Sequence, residues 1–278
     1  MMKLLQNKLV YLYKILNRMN NIKGRENKRF IDRVGEKYLT KEGYEIEIIE
    51  YFNKKNMTIK FNNGYKMYNV CFTNIKKGSI SNPYNLTTQG VGYFGVGDFK
   101  SSVNKKTVLH YSRWSGILGR CYCYKYLNKH PSYIGCSVDT RWHNYQIFAQ
   151  WFEENYNPEF MQDWQLDKDI LVKGNKIYSP ETCCFVPPEI NGLFVKRQND
   201  RGEYPIGVIK SQKGFCAALF IIGKRISLGT KFNTPEEAFE AYKIAKEKYI
   251  KEIADKWKDL ISPRVHNAMY NYQVEITD

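Results

Sequence analysis

The spacing of apolar residues changes several times along the 278-residue chain, and each change limits the structure that the segment can form. Residues 44–61 alternate apolar with polar side chains, which predicts short strands that are buried on one face. Residues 111–122 instead place their large apolar side chains at helical spacing. Residues 204–232 return to short strands, and residues 234–249 again have a helical period. The pattern predicts an α+β protein built from successive modules.

Glycine punctuation and changes of composition divide this α+β chain into four expected parts. Residues 1–34 predict a basic, amphipathic N-terminal helix. Residues 35–100 predict a small β module followed by a glycine-rich linker. Residues 101–198 predict helices followed by a ββα unit, and residues 199–278 predict a three-stranded sheet with a helix.

The charge of the chain indicates the class of its partner. Lysine and arginine total 43 against 28 aspartate and glutamate residues, which gives a formal net charge of +15. An excess of this size favours a polyanionic partner, and nucleic acid is the first expectation. The alternative is that the charge serves only solubility.

The cysteines and the apolar runs limit the setting of the protein. Seven cysteines occur without a disulfide-type framework, so free thiols and a reducing cytoplasm are expected. The spacing of Cys121, Cys123, Cys136, Cys183 and Cys184 differs from that of zinc knuckles, which favours buried thiols over a zinc site. Because no run of apolar residues is long enough to span a bilayer, no membrane partner is expected.

Several short motifs follow one another in the middle of the chain. In chain order they are Trp114, residues 120–122, Trp142, residues 166–169, residues 178–183 and Asn191. In this order they resemble the HNH-type endonuclease module of phage-borne proteins. The resemblance implies action on DNA in the cytoplasm of a bacterial cell.

An HNH module uses one divalent metal ion beside the scissile phosphate, where the metal acts as a Lewis acid. The resemblance implies that Asp167 and Asp169 hold Mg²⁺ or Mn²⁺, and that Asp167, Lys168 and Asn191 form the catalytic set. The usual catalytic histidine position is occupied by Lys168, and a protonated lysine cannot accept a proton at neutral pH. Catalysis is therefore left open, and the alternative is that the two aspartates form strand-end hydrogen bonds or pair with the nearby Lys168 and Lys173.

Local patterns also predict how this module folds. The glycine and asparagine in residues 173–176 predict a turn between two paired strands. Residues 179–182 predict a short helix start, because a serine cap is followed by proline. A second start at 187–189 places Asn191 in the first turn of a helix.

The last part of the chain has a second ordered set of motifs. Gly207 and Val208, the segments 215–218 and 228–229, and the helix start at residue 234 resemble an AP2-like DNA-binding domain. The resemblance implies that the sheet enters the major groove of double-stranded DNA. The implied DNA-binding residues are Lys196, Arg197, Lys210, Gln212, Lys213, Lys224, Arg225 and Lys231.

Three functions are compatible with these patterns. The first is a DNA-binding protein of HNH ancestry that cleaves phosphodiester bonds with a metal ion. The second is a non-catalytic or inhibitory phage protein that occupies DNA or a host protein. The third is an adaptor that contacts a host or phage protein through the β module at 35–83.

Overall fold

The computed structural model describes residues 32–195, 203–221 and 223–278. The described chain is mixed α+β, which confirms the predicted fold class. The chain divides into two compact units, residues 1–82 and residues 83–278. Nearly all of the predicted N-terminal helix lies outside the described residues. Lys196 and Arg197 also lie outside them.

The first unit is a four-stranded antiparallel sheet in the order β1-β2-β3-β4, followed by one short helix. Its core forms because the inward positions of β2 and β3 are isoleucine, methionine and phenylalanine, while the outward positions are polar. Five elements make up the unit: β1 (Lys37–Leu39), β2 (Glu45–Asn53), β3 (Asn56–Phe61), β4 (Lys66–Val70) and α1 (Phe72–Lys76).

The second unit begins with the glycine-rich segment, a small hairpin and three helices. The segment packs against the start of the third helix, where the Tyr93 amide donates to the His143 carbonyl at 2.9 Å and the Tyr145 amide donates to the Tyr93 carbonyl at 3.0 Å. Residues 83–100 are therefore part of the folded second unit. The elements are β5 (Ser102–Val103), β6 (Lys106–Thr107), α2 (Leu109–Tyr122), α3 (Tyr124–Lys129) and α4 (Tyr145–Asn155).

Aromatic side chains hold α2 and α4 together. Trp114, Trp142 and Phe148 are fully buried, and the indole of Trp114 donates to the Trp142 carbonyl at 2.7 Å. Trp151 is only partly buried and stacks on Phe185 with the ring centroids 5.5 Å apart. Trp114 and Phe148 lie in the core because their spacing puts them on the facing sides of α2 and α4, and Trp142 joins them from the turn before α4.

Four short strands and one helical turn pack with these two helices; β7 precedes α4 in the chain, and the other elements follow it. Strands β8 and β10 pair antiparallel, with Asp167 opposite Cys184, whereas β7 and β9 form a separate parallel pair. The five elements are β7 (Ser137–Val138), β8 (Gln165–Asp167), β9 (Ile177–Tyr178), β10 (Cys184–Val186) and α5 (Pro188–Asn191).

Two local predictions for this region are wrong. Residues 173–176 form the predicted turn, but the strands on its two sides, β8 and β9, do not pair with each other. Strand β8 pairs with β10, and β9 pairs with β7. Residues 179–182 form a turn and not a helix, in which the Ser179 carbonyl accepts hydrogen bonds from the Thr182 and Cys183 amides. The predicted helix at 187–189 is present as α5, and Asn191 is its last residue.

The chain ends in an antiparallel sheet in the order β11-β12-β13, which is covered by a long helix. Thr234 caps that helix by accepting from the Glu237 amide at 3.2 Å, and the Glu237 carboxylate accepts from the Asn233 amide at 2.9 Å. The elements are β11 (Val208–Ser211), β12 (Gly214–Ile221), β13 (Lys224–Phe232), α6 (Pro235–Trp257) and α7 (Pro263–Tyr270).

Candidate nucleic-acid and metal site

Asp167 is the last residue of β8, and its side chain caps the bend that follows the strand. One carboxylate oxygen accepts hydrogen bonds from the Asp169 amide and the Ile170 amide, both at 2.8 Å. Asp169 lies in the bend that these two bonds hold in place. The structure therefore brings the two predicted metal ligands next to each other by a local side-chain cap.

The environment of Asp167 disfavours its charged form. Burial and the neighbouring charge of Asp169 raise the pKa of Asp167 to about 6, although the two backbone N–H donors act in the opposite direction. Asp167 is thus a carboxyl group that changes its charge close to neutral pH.

Lys168 points its ammonium group to Asp169 and to an aromatic ring. Its Nζ lies 3.1 Å from Asp169 Oδ2 and 5.7 Å from the ring centroid of Tyr178, and its side chain is 12% exposed. Burial works against the charge of Lys168, but the Asp169 carboxylate outweighs it and the pKa of Lys168 lies above its ordinary value. Lys168 therefore remains a cation at neutral pH and cannot serve as a general base.

Asn191 reaches the same strand as Asp167 but contacts a different residue. Its side-chain amide donates to the Gln165 side chain. Because Gln165 and Asp167 are two residues apart on β8, they lie on one face of the strand. The predicted set of Asp167, Lys168 and Asn191 is thus gathered at β8, with the amide of Asn191 already engaged.

The metal-binding capacity of this arrangement rests on two carboxylates. Among the described residues there is no cluster of three or more histidine, cysteine, aspartate or glutamate side chains that could hold a metal ion. Mg²⁺ is nevertheless often bound by one or two carboxylates, with water and substrate phosphates as its other ligands. Asp167 and Asp169 fit a metal of that kind, but Lys168 already pairs with Asp169.

The cysteines around β8 and β10 are structural. Cys121, Cys136, Cys183 and Cys184 are buried and free. Burial raises the pKa of Cys121 to about 12, so this side chain is a thiol and not a thiolate at neutral pH. These residues act as small apolar side chains in the core.

Strand β12 shows which face of the last sheet is open to a partner. Leu219 belongs to the core that α6 covers, so the next residue, Phe220, points to the opposite face. Phe220 is 62% exposed, and its register partner Arg225 lies on the same outer face.

The register also separates the other cations that were predicted to bind DNA. Phe215 is a core residue that pairs with Phe232, so the preceding residue, Lys231, lies on the outer face. Lys210 is instead the direct partner of Phe215, and its Nζ lies 4.0 Å from the centroid of that ring. The side chain of Lys210 therefore lies on the core face of the sheet, at its β11 edge.

The remaining predicted residues lie in turns or at strand ends. Gln212 and Lys213 are exposed in the turn between β11 and β12, and Lys224 pairs with Ile221 at the start of β13. Within the described ranges, no carboxylate forms an ion pair with any of the predicted cations of this sheet. These cations are Lys210, Lys213, Lys224, Arg225 and Lys231.

A cavity of about 760 Å³ lies between α5, the sheet and α6. Its walls are mainly apolar and aromatic, with Val208, Leu219 and Tyr249 among the lining residues. Lys246 also lines this cavity, and burial lowers the pKa of Lys246 to about 8. Lys246 is therefore less suited to bind DNA phosphates than the exposed cations of the sheet.

Arg120 begins the motif at 120–122, and the sequence pattern predicts no chemical role for it. It lies in the last turn of α2, and its guanidinium donates to the Tyr178 hydroxyl at 3.4 Å. Tyr178 is also the ring below Lys168, so Arg120 belongs to the surroundings of the candidate site. The sequence signal that could have drawn attention to it is the absence of acidic residues nearby along the chain.

Comparison with protein-family models, with curated proteins and with solved structures finds no match to the chain. The resemblance to HNH-type and AP2-like proteins is carried by the sequence motifs alone.

Within residues 32–195, 203–221 and 223–278, no helix has both the length and the apolar composition that crossing a bilayer requires.

Proposed function

We propose that the protein binds double-stranded DNA and that the outer face of the β11-β12-β13 sheet is its main contact surface. The observation that carries this proposal is the pair of exposed cations on that face, Arg225 and Lys231, which have no ion-pair partner among the described residues. The net charge of +15 supports the same class of partner.

The two cations suit a phosphate backbone. A protein that neutralises phosphates with lysine and arginine releases counterions from DNA, which makes its affinity depend on salt. Arg225 can also donate two parallel hydrogen bonds to a phosphate or a guanine edge. Phe220, exposed beside Arg225, offers an apolar surface to the sugars and the thymine methyl groups.

DNA binding by this face is tested by removing its two charges together. We expect R225Q/K231Q to bind a mixed-sequence duplex roughly tenfold more weakly at moderate salt, with a salt slope lower by about two. The matched control is K248Q/K251Q, which removes the same charge from exposed positions on α6. Equal losses in both variants would mean that net charge, and not this face, determines the affinity.

A second candidate function is metal-dependent cleavage of the bound DNA. The observation in its favour is that Asp167 and Asp169 are close enough for one charge to raise the pKa of the other carboxyl group. A divalent ion would relieve this repulsion and polarise a phosphate oxygen. The bound ion would take its remaining ligands from water and from the DNA.

Cleavage is measured with supercoiled plasmid and Mg²⁺ or Mn²⁺, and DNA binding is followed in the same samples. D167A and a chelator should both abolish nicking, whereas D163N, which changes an exposed carboxylate just before β8, should not. Binding without nicking by the wild-type protein would favour the alternative of a non-catalytic or inhibitory DNA-binding protein.

The β module, which ends at residue 82, is a candidate surface for a host or phage protein. Its core is complete by itself, so its exposed faces are free to serve a partner that is not DNA. Equal duplex affinity after charge removal from both Lys60 and Lys66 would favour this role over a DNA contact.

A further inference from the structure

Arg120 is a partly buried cation without a counter-charge among the described residues. Its guanidinium lies in the last turn of α2, and its hydrogen-bond partner is the neutral hydroxyl of Tyr178 at 3.4 Å. No carboxylate of the described chain lies within ion-pair distance of it. An arginine has five N–H donors, so most of the Arg120 donors have no partner within the described part of the chain.

The groups around Arg120 are neutral or positively charged. Tyr126, Tyr133 and Tyr178 present phenol groups to it, and burial together with neighbouring groups raises the pKa of Tyr133. Lys168 lies over the ring of the same Tyr178. Phenols that stay protonated cannot neutralise a guanidinium, and an unpaired cation that is partly out of water is costly.

The chain around Arg120 adds further positive charge. Residues 99–138 contain seven lysines and arginines and no aspartate or glutamate. Acids of other elements in this unit are engaged with other cations: Asp169 binds Lys168, Asp139 binds Arg141, and Glu153 lies 3.9 Å from His110. The α2–α3 side of the candidate site is therefore suited to an anion.

We propose that Arg120 binds a phosphate group of the DNA backbone beside Asp167, Lys168 and Asp169. This inference rests on the proposed DNA binding and names the part of the DNA that this site holds. A phosphodiester fits because its two free oxygens match the planar fork of a guanidinium. The Tyr178 hydroxyl orients the fork by accepting one of its N–H groups.

The experiment compares duplex binding by full-length variants over a range of salt concentrations. We expect R120Q to weaken binding roughly tenfold and to lower the salt slope by about one, because one charge-assisted phosphate contact is lost. R120K should keep the slope and lose only part of the affinity. R113Q is the control, because Arg113 is on the same helix but donates to the Trp164 carbonyl.

A second measurement does not depend on how the variants fold. Phenylglyoxal modifies guanidinium groups, and peptide mass spectrometry gives the modification rate of each arginine in the wild-type protein. Duplex DNA should slow the modification of Arg120 at least fivefold and leave that of Arg113 almost unchanged. Equal rates at Arg120 with and without bound DNA overturn the proposal.

The outcomes separate this inference from the proposed function. If R225Q/K231Q loses affinity while R120Q and R120K bind as the wild type does, the phosphate contact is rejected and sheet binding stands. If R120Q lowers the thermal unfolding midpoint but leaves the salt slope unchanged, Arg120 is structural and the proposal is again overturned. If the wild-type protein does not bind the duplex, both fail together.

Discussion

Asp167 combines a structural role with an unfavourable charge. Its carboxylate caps the bend at 168–170, but burial and Asp169 raise its pKa from 3.8 to about 6. The folded state therefore holds a proton that the unfolded state loses, and the resulting stabilisation is complete below pH 3.8. It is lost as the pH rises through about 6.

D167N should remove this loss, because an asparagine oxygen can accept the same two backbone hydrogen bonds without a charge. We expect the variant to be more stable than the wild type by about 3 kcal/mol at neutral pH and equally stable below pH 3.8. Urea unfolding at a series of pH values measures the difference. D163N is the control, and a gain that does not depend on pH would contradict the explanation.

A comparison of alanine substitutions at Gly207 and Gly174 distinguishes the cost of backbone strain from the cost of steric overlap. Both residues have a φ of +78°, but a Cβ at Gly207 would overlap the ring of Tyr242, whereas a Cβ at Gly174 would meet open space. We expect G174A to cost about 1 kcal/mol of unfolding free energy and G207A to cost about 3 kcal/mol or more. Denaturant unfolding tests this, and similar costs would mean that strain alone determines the effect.

At the scale of elements, the sequence predicts most of the helices and strands but not their long-range pairing. The helical spacing of Trp114 and Phe148 predicts α2 and α4, and the alternation at 44–61 predicts β2 and β3. The turn at 173–176 is a local signal, so it suggests that the strands on either side pair with each other. Partner choice depends on tertiary packing instead, and β8 pairs with β10.

The candidate site shows the same limit. Spacing alone puts Asp167 and Asp169 on one face of a continuous strand, because side chains two residues apart share a strand face. In the folded chain the strand ends at Asp167, and the Asp167 side chain brings Asp169 near it by accepting from the Asp169 amide. The Lys168–Asp169 ion pair joins neighbours in the chain, whereas the contact of Arg120 with Tyr178 joins distant segments, which no local pattern contains.

The start of α6 depends on a reciprocal pair of hydrogen bonds between Thr234, Glu237 and the Asn233 amide. T234A should lower the unfolding free energy by about 1 kcal/mol, because the Glu237 amide loses its acceptor. T234S keeps a hydroxyl at that position and should be nearly neutral. Chemical unfolding measures both, and an equal loss in T234S would assign the effect to the methyl group.

At the scale of the whole molecule, the two units have separate apolar cores. The core of the first unit includes Ile46, Ile59 and Phe61, while all five tryptophans of the chain belong to residues 83–278. Tryptophan fluorescence therefore reports the unfolding of the second unit alone.

I59A creates a cavity in the first core and should destabilise that unit by about 3 kcal/mol. We expect hydrogen exchange to accelerate in β2 and β3 while the midpoint of the tryptophan transition stays the same. F148A is the matched variant in the second core and should lower that midpoint. A shift of the tryptophan transition by I59A would show that the two units unfold together.

The parallel pair of β7 and β9 has a kinetic consequence. Its two strands are only two residues long, and Ser137 pairs with Ile177 across a long loop that contains α4 and β8. The entropy of closing that loop is lost before any ladder bond is gained, whereas α2 and α4 form through local contacts. We therefore expect refolding chains to recover their helix content first and to assemble the surroundings of Asp167 as one of the last steps.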